Sequence, residues 1–176
     1  MEQDGDMKEE EHGKRGKAVR ESVSFILYLI VIVVLTFLMI RYVGQRTRVD
    51  GSSMENTLTN GDNLIVDKIS YRFHEPERFD IIVFPYQYKE DTYFIKRIIG
   101  MPGETVQITD KGEILINGEE LVESYGREVI KDPGLASDPI TLGEDEYFVM
   151  GDNRPFSKDS RYVGPVKKLS LIHISE

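Results

Sequence analysis

Tyr93-Phe94-Ile95-Lys96-Arg97-Ile98-Ile99-Gly100-Met101-Pro102-Gly103-Glu104-Thr105-Val106-Gln107-Ile108 reads as a strand, a turn and a second strand. Thr92 to Ile99 is dense in aromatic and β-branched residues, which suit a pleated, half-buried surface. Gly100-Met101-Pro102-Gly103 ends that run, and Glu104 to Ile108 begins another. Further on, Thr109-Asp110-Lys111-Gly112 separates it from Glu113-Ile114-Leu115-Ile116, a hairpin signal, and Asn117-Gly118 marks another turn. Upstream lie two more short runs, Asn63 to Asp67 and Phe79 to Phe84, the second stopped by Pro85. Glu146 to Met150 is the last clear strand, before Gly151-Asp152-Asn153. No long helical period follows residue 44, and no repeat is visible. Short strands punctuated by Gly and Pro predict a mostly β, antiparallel domain with one core, a barrel or a sandwich. Val122 to Gly143 is the least patterned stretch and reads as an insertion or surface loop.

The same run holds a lysine in apolar company. In a strand, Lys96 shares a face with Phe94 and Ile98, while Arg97 points the other way and is the more exposed of the two. A lysine kept from water loses its proton more easily and can act as a general base. Gly51-Ser52-Ser53-Met54 offers the hydroxyl that such a base would activate. Histidine, the commoner base, occurs only as His12, His74 and His173, none in a setting suited to catalysis.

N-terminal to both motifs, Val23 to Ile40 (VSFILYLIVIVVLTFLMI) carries no charge. As a helix it reaches across roughly 27 Å, close to the hydrocarbon thickness of a bilayer. It lacks the polar face of a buried core helix, and no small-x-small cleavage site follows it. The expectation is a transmembrane signal anchor over 21–43, preceded by a disordered cytoplasmic segment over 1–20. Lys8, Lys14, Arg15, Lys17 and Arg20 outnumber Arg41, Arg46 and Arg48, which predicts a single-pass membrane protein with a cytoplasmic N-terminus and an extracytoplasmic β domain.

Composition removes several classes. The formal net charge of −9 argues against nucleic acid as a partner. Absence of cysteine excludes a disulfide framework, a thiolate zinc site and a cysteine nucleophile. The three histidines are scattered, and no Gly-rich phosphate loop precedes a helix, so neither a metal nor a cofactor is implied.

Taken in order, five blocks resemble the bacterial type I signal peptidases, membrane-anchored Ser/Lys proteases. They are the apolar anchor, Val49-Asp50-Gly51-Ser52-Ser53-Met54-Glu55-Asn56-Thr57-Leu58, Arg78 to Phe84, Tyr93 to Glu104, and Gly151-Asp152-Asn153-Arg154 through Asp159-Ser160-Arg161. The similarity spans about residues 20–166. It implies that Ser53, directly before the methionine, is the nucleophile rather than Ser52, a choice that residue chemistry alone leaves open. It implies Lys96 as general base, Ser157 as a residue orienting the lysine, and Asp159 with Arg161 as a pair shaping the loop. Val49, Met54, Leu58, Val83 and Ile95 fall where the family lines its substrate pockets. The implied fold is an N-terminal transmembrane helix followed by an antiparallel β domain over 44–168. The implied partners are signal-peptide-bearing preproteins and the lipid bilayer.

Departures from that pattern carry expectations of their own. Asn56 stands where proline is common, which should loosen the turn, since proline presets φ. Phe79 stands where glycine is common. Gly51 replaces a serine whose hydroxyl joins the oxyanion hole in some relatives, so a backbone N–H or water must serve instead. Pro155-Phe156 makes the last loop stiffer and more apolar. After Lys168 the pattern breaks, and residues 169–176 are similar to a translated sequencing-adapter end. They are therefore expected to be a non-native tail, although Ile172 and Ile174 alternate as in a terminal strand.

The expected activity is a membrane-bound serine endopeptidase that removes signal peptides from exported preproteins. About a dozen residues separate Ile40 from Ser53, at most roughly 45 Å of chain, so the site should work near the bilayer surface. Two alternatives stand beside it: a self-cleaving Ser/Lys protease, and an inactive or non-enzymatic membrane-anchored β domain.

Overall fold

The computed structural model describes residues 3–42, 44–67, 71, 73–86, 89, 92–126, 128–168 and 172–175. The chain divides into two compact units, Met1–Val43 and Gly44–Glu176. The first is a single helix, α1 (Gln3–Tyr42). Its stretch Arg20–Leu38 is long and apolar enough to cross a membrane. Every side chain from Glu21 to Leu38 is exposed, unlike those of a buried core helix. Composition predicts disorder over 1–20, yet residues 3–20 continue the helix. Most of them, Lys, Glu, Met, Arg, Gln and Ala, are good helix formers, and extending an existing helix avoids the cost of nucleation.

The second unit is built from two antiparallel sheets. Chain order runs β1 (Gly44–Arg48), β2 (Asn63–Asp67), β3 (Ile81–Pro85), β4 (Tyr93–Gly100), β5 (Thr105–Ile108), β6 (Ile114–Ile116) and β7 (Glu119–Glu120). It continues with β8 (Ile140–Thr141), β9 (Glu146–Met150), a four-residue helix α2 (Ser160–Val163), β10 (Val166–Lys167) and β11 (Ile172–Ser175). Among the described residues, one sheet has the order β1-β2-β11-β3-β4-β9-β10 and the other β7-β6-β5-β8.

Alternation along the strands explains why the larger sheet is covered on both faces. Ile81 and Val83 of β3 join a cluster with Val49, Met54, Leu58, Leu64 and Val66. Ile82 and Phe84, pointing the other way, join Ile98, Tyr147 and Val149. A third cluster, including Ile99, Val106, Ile108, Phe148 and Met150, joins β4 and β9 to the smaller sheet. Among the described residues, the buried side chains thus form three clusters where the strand pattern predicts one core. Asn117 (φ 53°) and Gly118 (φ 86°) make the left-handed turn expected of Asn-Gly, leading into β7.

One stretch differs from its sequence reading. Within 122–143, read as a surface loop, Ile130, Ala136 and Leu142 are buried in the third cluster, and Ile140–Thr141 pairs with β5. A two-residue strand is too short to show a period. Of the tail 169–176, residues 169–171 and 176 lie outside the described residues. Ile172–Ser175 pairs with β2 through His173–Ser175 and with β3 through Ile172 and His173.

Candidate active site

The Ser52–Ser53 turn is fixed from both sides by burial. Val49, Met54 and Leu58 sink into the cluster behind it, at 6%, 2% and 7% exposure. Short backbone bonds close the segment: Glu55 N–H donates to Ser52 O at 3.1 Å, and Leu58 N–H to Met54 O at 2.8 Å. Gly51 (φ +112°) and Asn56 (φ +85°) bracket the turn in conformations that L-residues seldom adopt. Proline cannot reach φ +85°, so Asn56 does not loosen a proline turn. It makes a different turn, using the tolerance of asparagine for the left-handed region.

Lys96 is brought to this turn by β4. Its Nζ donates to Ser53 Oγ at 2.7 Å and to Ile95 O at 2.8 Å, and lies 5.0 Å from the Phe94 ring centroid. The side chain is 3% exposed. Burial lowers its pKa from 10.5 to about 8, against the opposing pull of Asp159 and Asp152 and with a smaller downward push from Arg161. The structure therefore places Ser53, not Ser52, against the lysine. Arg97 is buried as well, because both faces of β4 are covered. Its guanidinium holds Asp152 by two bonds, Nε to Oδ1 at 2.9 Å and Nη2 to Oδ2 at 2.7 Å.

The loop after β9 closes the site. Asp159 and Arg161 pair within it, Nε to Oδ1 at 2.8 Å and Nη2 to Oδ2 at 2.9 Å, both side chains buried. Asp159 also accepts from the Gly151 N–H at 3.1 Å and from the Arg161 N–H at the start of α2. Arg161 reaches the carbonyls of Arg154 and Ser157. Ser157 is buried, and its hydroxyl has no hydrogen-bond partner among the described residues, Lys96 included. It nevertheless borders the Ser53 turn: a methyl group at Gly151 would collide with both Ser157 Oγ and the Ser53 carbonyl.

A cavity of about 490 Å³ opens beside Ser53 and Lys96. Val49, Met54, Val83 and Ile95 line it as expected, and Val66 adds to the apolar wall. Leu58 does not line it but packs within the same cluster. The exposed Phe156 and Lys158 stand at the cavity, with Lys158 Nζ 5.2 Å from the Tyr86 ring centroid. Among the described residues no His/Asp/Glu group is arranged to hold a metal.

Sequence reasoning missed the clamp between the two loops. Asn153 donates its backbone N–H to Ser53 O at 3.0 Å and Nδ2 to Ser52 O at 2.9 Å. Thr57 donates to Asp152 Oδ2 at 2.5 Å. Polar residues about a hundred positions apart leave no local pattern that would have paired them.

The model of the family described as signal peptidase, peptidase S26, matches residues 21–174. The chain is similar to the probable signal peptidase I-2 of Synechocystis sp., 40% identical over 136 residues, which cover 74% of this chain and 61% of that protein. Against signal peptidase I of Leptolyngbya laminosa the identity is 41% over 138 residues, 74% of this chain and 66% of the relative. It spans less than two thirds of the length of these two relatives. Signal peptidase I V of Bacillus subtilis (strain 168) is 35% identical over 138 residues, 72% of this chain and 80% of that one. Among solved structures, a signal peptidase I from Enterococcus faecalis V583 aligns with a TM-score of 0.49 and 37% identity, over 58% of this chain and 98% of that chain.

Proposed function

The chain belongs to the signal peptidase family, peptidase S26, and from that premise we propose that it is a membrane-anchored serine endopeptidase that removes signal peptides from exported preproteins. Ser53 is the nucleophile and Lys96 the general base. The observation that carries this assignment is the 2.7 Å approach of Lys96 Nζ to Ser53 Oγ, made by a lysine that is 3% exposed.

The chemistry follows from the lysine's protonation. As ammonium, Lys96 donates to Ser53 Oγ and can accept nothing. Once neutral, the bond reverses: the serine hydroxyl donates to the nitrogen lone pair while Ile95 O still accepts one N–H. Attack on the scissile carbonyl transfers the hydroxyl proton to Nζ and forms a tetrahedral oxyanion; on collapse the C–N bond breaks, the Lys96 ammonium gives that proton to the leaving amine, and an acyl-enzyme remains on Ser53 beside a neutral Lys96. Lys96 then takes the proton of the attacking water. The Ser53 N–H is assigned to the oxyanion; the Gly51 N–H is already given to Asn60 Oδ1 at 3.0 Å. Ser157, buried with its hydroxyl unpartnered, is assigned to orienting the amine. Asp159 and Arg161 hold the loop that carries it.

The substrate lies as an extended strand along the cavity, with small side chains directed between the walls formed by Val49, Met54, Val83 and Ile95. The apolar helix serves as the membrane anchor, with the N-terminus cytoplasmic and the β unit outside. Purified full-length chain in detergent, incubated with a preprotein, tests the assignment. Cleavage at the signal-peptide junction is expected, abolished by Ser53→Ala and by Lys96→Ala, with most activity kept by Ser52→Ala. An active Lys96→Ala variant would remove the lysine from the mechanism.

A further inference from the structure

Residues 121–126 lie between the smaller sheet and the loop that follows β9. Leu121 ties one end, its N–H donating to Ile114 O at 2.8 Å, and Ile130 is buried beyond the other. Two side chains from this segment meet buried cations. Glu123 pairs with Arg154, Nη1 to Oε1 at 2.6 Å and Nη2 to Oε2 at 2.8 Å, and Arg154 is 2% exposed. The Tyr125 ring centroid lies 3.8 Å from the Arg97 guanidinium and 5.1 Å from that of Phe79. Gly126 packs so closely on Arg154 that an added methyl group would lie 3.2 Å from its guanidinium carbon.

The two cations fix the first and third residues of one tripeptide, Asp152-Asn153-Arg154. Arg97, covered by Tyr125, holds Asp152 by two bonds. Arg154, neutralised by Glu123, is the third residue. Between them stands Asn153, which holds the carbonyls of both Ser52 and Ser53. The nucleophile turn is thus gripped by a residue whose two neighbours are each fixed through this segment. Phe79 completes the arrangement: an aromatic residue at φ +76°, kept in that conformation by its contact with Tyr125 and by the bond from Arg97 Nη1 to its carbonyl at 2.8 Å.

We propose that residues 121–126 form a positioning strap for the catalytic turn, in which Glu123 and Tyr125 act through Arg154 and Arg97 to hold Asn153, and with it Ser53, in register with Lys96. The proposal rests on the assignment of Ser53 and Lys96 above. Glu123 and Tyr125 touch no reacting atom. Their loss displaces Ser53 relative to Lys96, which slows chemistry while leaving the substrate cavity, built from other residues, in place.

The test compares Glu123→Gln, Tyr125→Leu, Tyr125→Phe and Val122→Ser in the full-length chain. The readouts are kcat and KM on a preprotein and the melting temperature, with rates taken well below melting. Glu123→Gln keeps the size of the side chain but leaves Arg154 without a counter-charge. It is expected to lower kcat by about tenfold or more with KM within about twofold. Tyr125→Leu is expected to do the same, whereas Tyr125→Phe keeps the aromatic face over Arg97 and restores most of the rate. Val122, 89% exposed on the same segment, is expected to tolerate serine at wild-type kcat. Wild-type kcat in both Glu123→Gln and Tyr125→Leu overturns the strap. So does a fall that merely follows the unfolded fraction, or an equal fall in Val122→Ser. A wild-type chain that cleaves no preprotein overturns the active-site assignment and the strap with it, whereas cleavage by the wild type with unaffected variants overturns the strap alone.

Discussion

Burial lowers the Lys96 pKa to about 8 from 10.5, although Asp159 and Asp152 pull it upward. Two measurable consequences follow. Because in the proposed mechanism only the neutral amine accepts the serine proton, kcat/KM should rise along a single-proton limb centred near pH 8 and level off above it. The stability consequence has the opposite sense to that of a salt-bridged lysine, whose pKa is raised. Between pH 8 and 10.5 the unfolded lysine holds a proton that the folded one has released, so Lys96 makes stability increase with pH across that window. Below pH 8 both states are charged, and the fold bears the cost of an ammonium kept from water, on the order of 3 kcal/mol. Lys96→Met should therefore be inactive yet more stable than the parent at pH 7, with the advantage shrinking as the pH is raised towards 10.5. Thermal melts of the two proteins over that range decide it; a parent as stable as the variant at pH 7 contradicts the burial cost. Asn56 gives a second test at this scale. With φ at +85°, Asn56→Pro cannot take the native conformation and should destabilise the unit by more than about 1 kcal/mol. A denaturant midpoint unchanged by that substitution would mean that the turn can rebuild itself around proline.

Among the elements, β11 lies in the stretch where the family pattern breaks, yet it has a large topological role. The sheet order places it between β2 and β3, which carry Val66 and Val83 of the cavity wall. It bonds to both through His173, Ile174 and Ser175 on one side and Ile172 and His173 on the other. Removing residues 172–176 leaves two unpaired strand edges in the middle of the sheet. The expected result is a lower melting temperature, faster amide exchange at Ile65–Asp67 and Ile82–Val83, and a weaker KM as the cavity wall loosens. Exchange at those amides equal to that of the intact chain would show that β2 and β3 close on each other without β11. The loop after β9 depends on short elements in the same way. Gly134, at φ +56° in the turn before β8, lies so close to the Arg161 carbonyl that any side chain there would collide with the loop.

At the scale of the whole molecule, the two compact units have different solvents in the proposed function. The apolar stretch Arg20–Leu38 presents only exposed side chains, which suits lipid, while the β unit buries three clusters of its own. The excess of Lys and Arg before Val23 motivates a cytoplasmic N-terminus. Protease added outside spheroplasts should then digest residues after Arg48 and spare the N-terminal segment. Protection of the β unit with loss of the N-terminal segment would reverse the orientation.

Local pattern was enough to determine the apolar helix, the strands β2 to β6 and β9, and the Asn117-Gly118 turn, because alternation, run length and turn chemistry act between neighbours in sequence. The same patterns, with the family wording around Ser53, Lys96, Asp159 and Arg161, brought the candidate site into view. Only the tertiary structure decided that Ser53 rather than Ser52 faces Lys96, that Arg97 is as buried as Lys96, and that Leu58 stands behind the cavity rather than on its wall. It alone showed the ties from Asn153 to the serine turn and from Glu123 and Tyr125 to the two arginines. Each of these depends on which side chains share a dry volume after distant segments pack. A strand reports the direction of its side chains, but what covers each face is fixed by elements elsewhere in the chain, and burial by those elements is what lowers the Lys96 pKa.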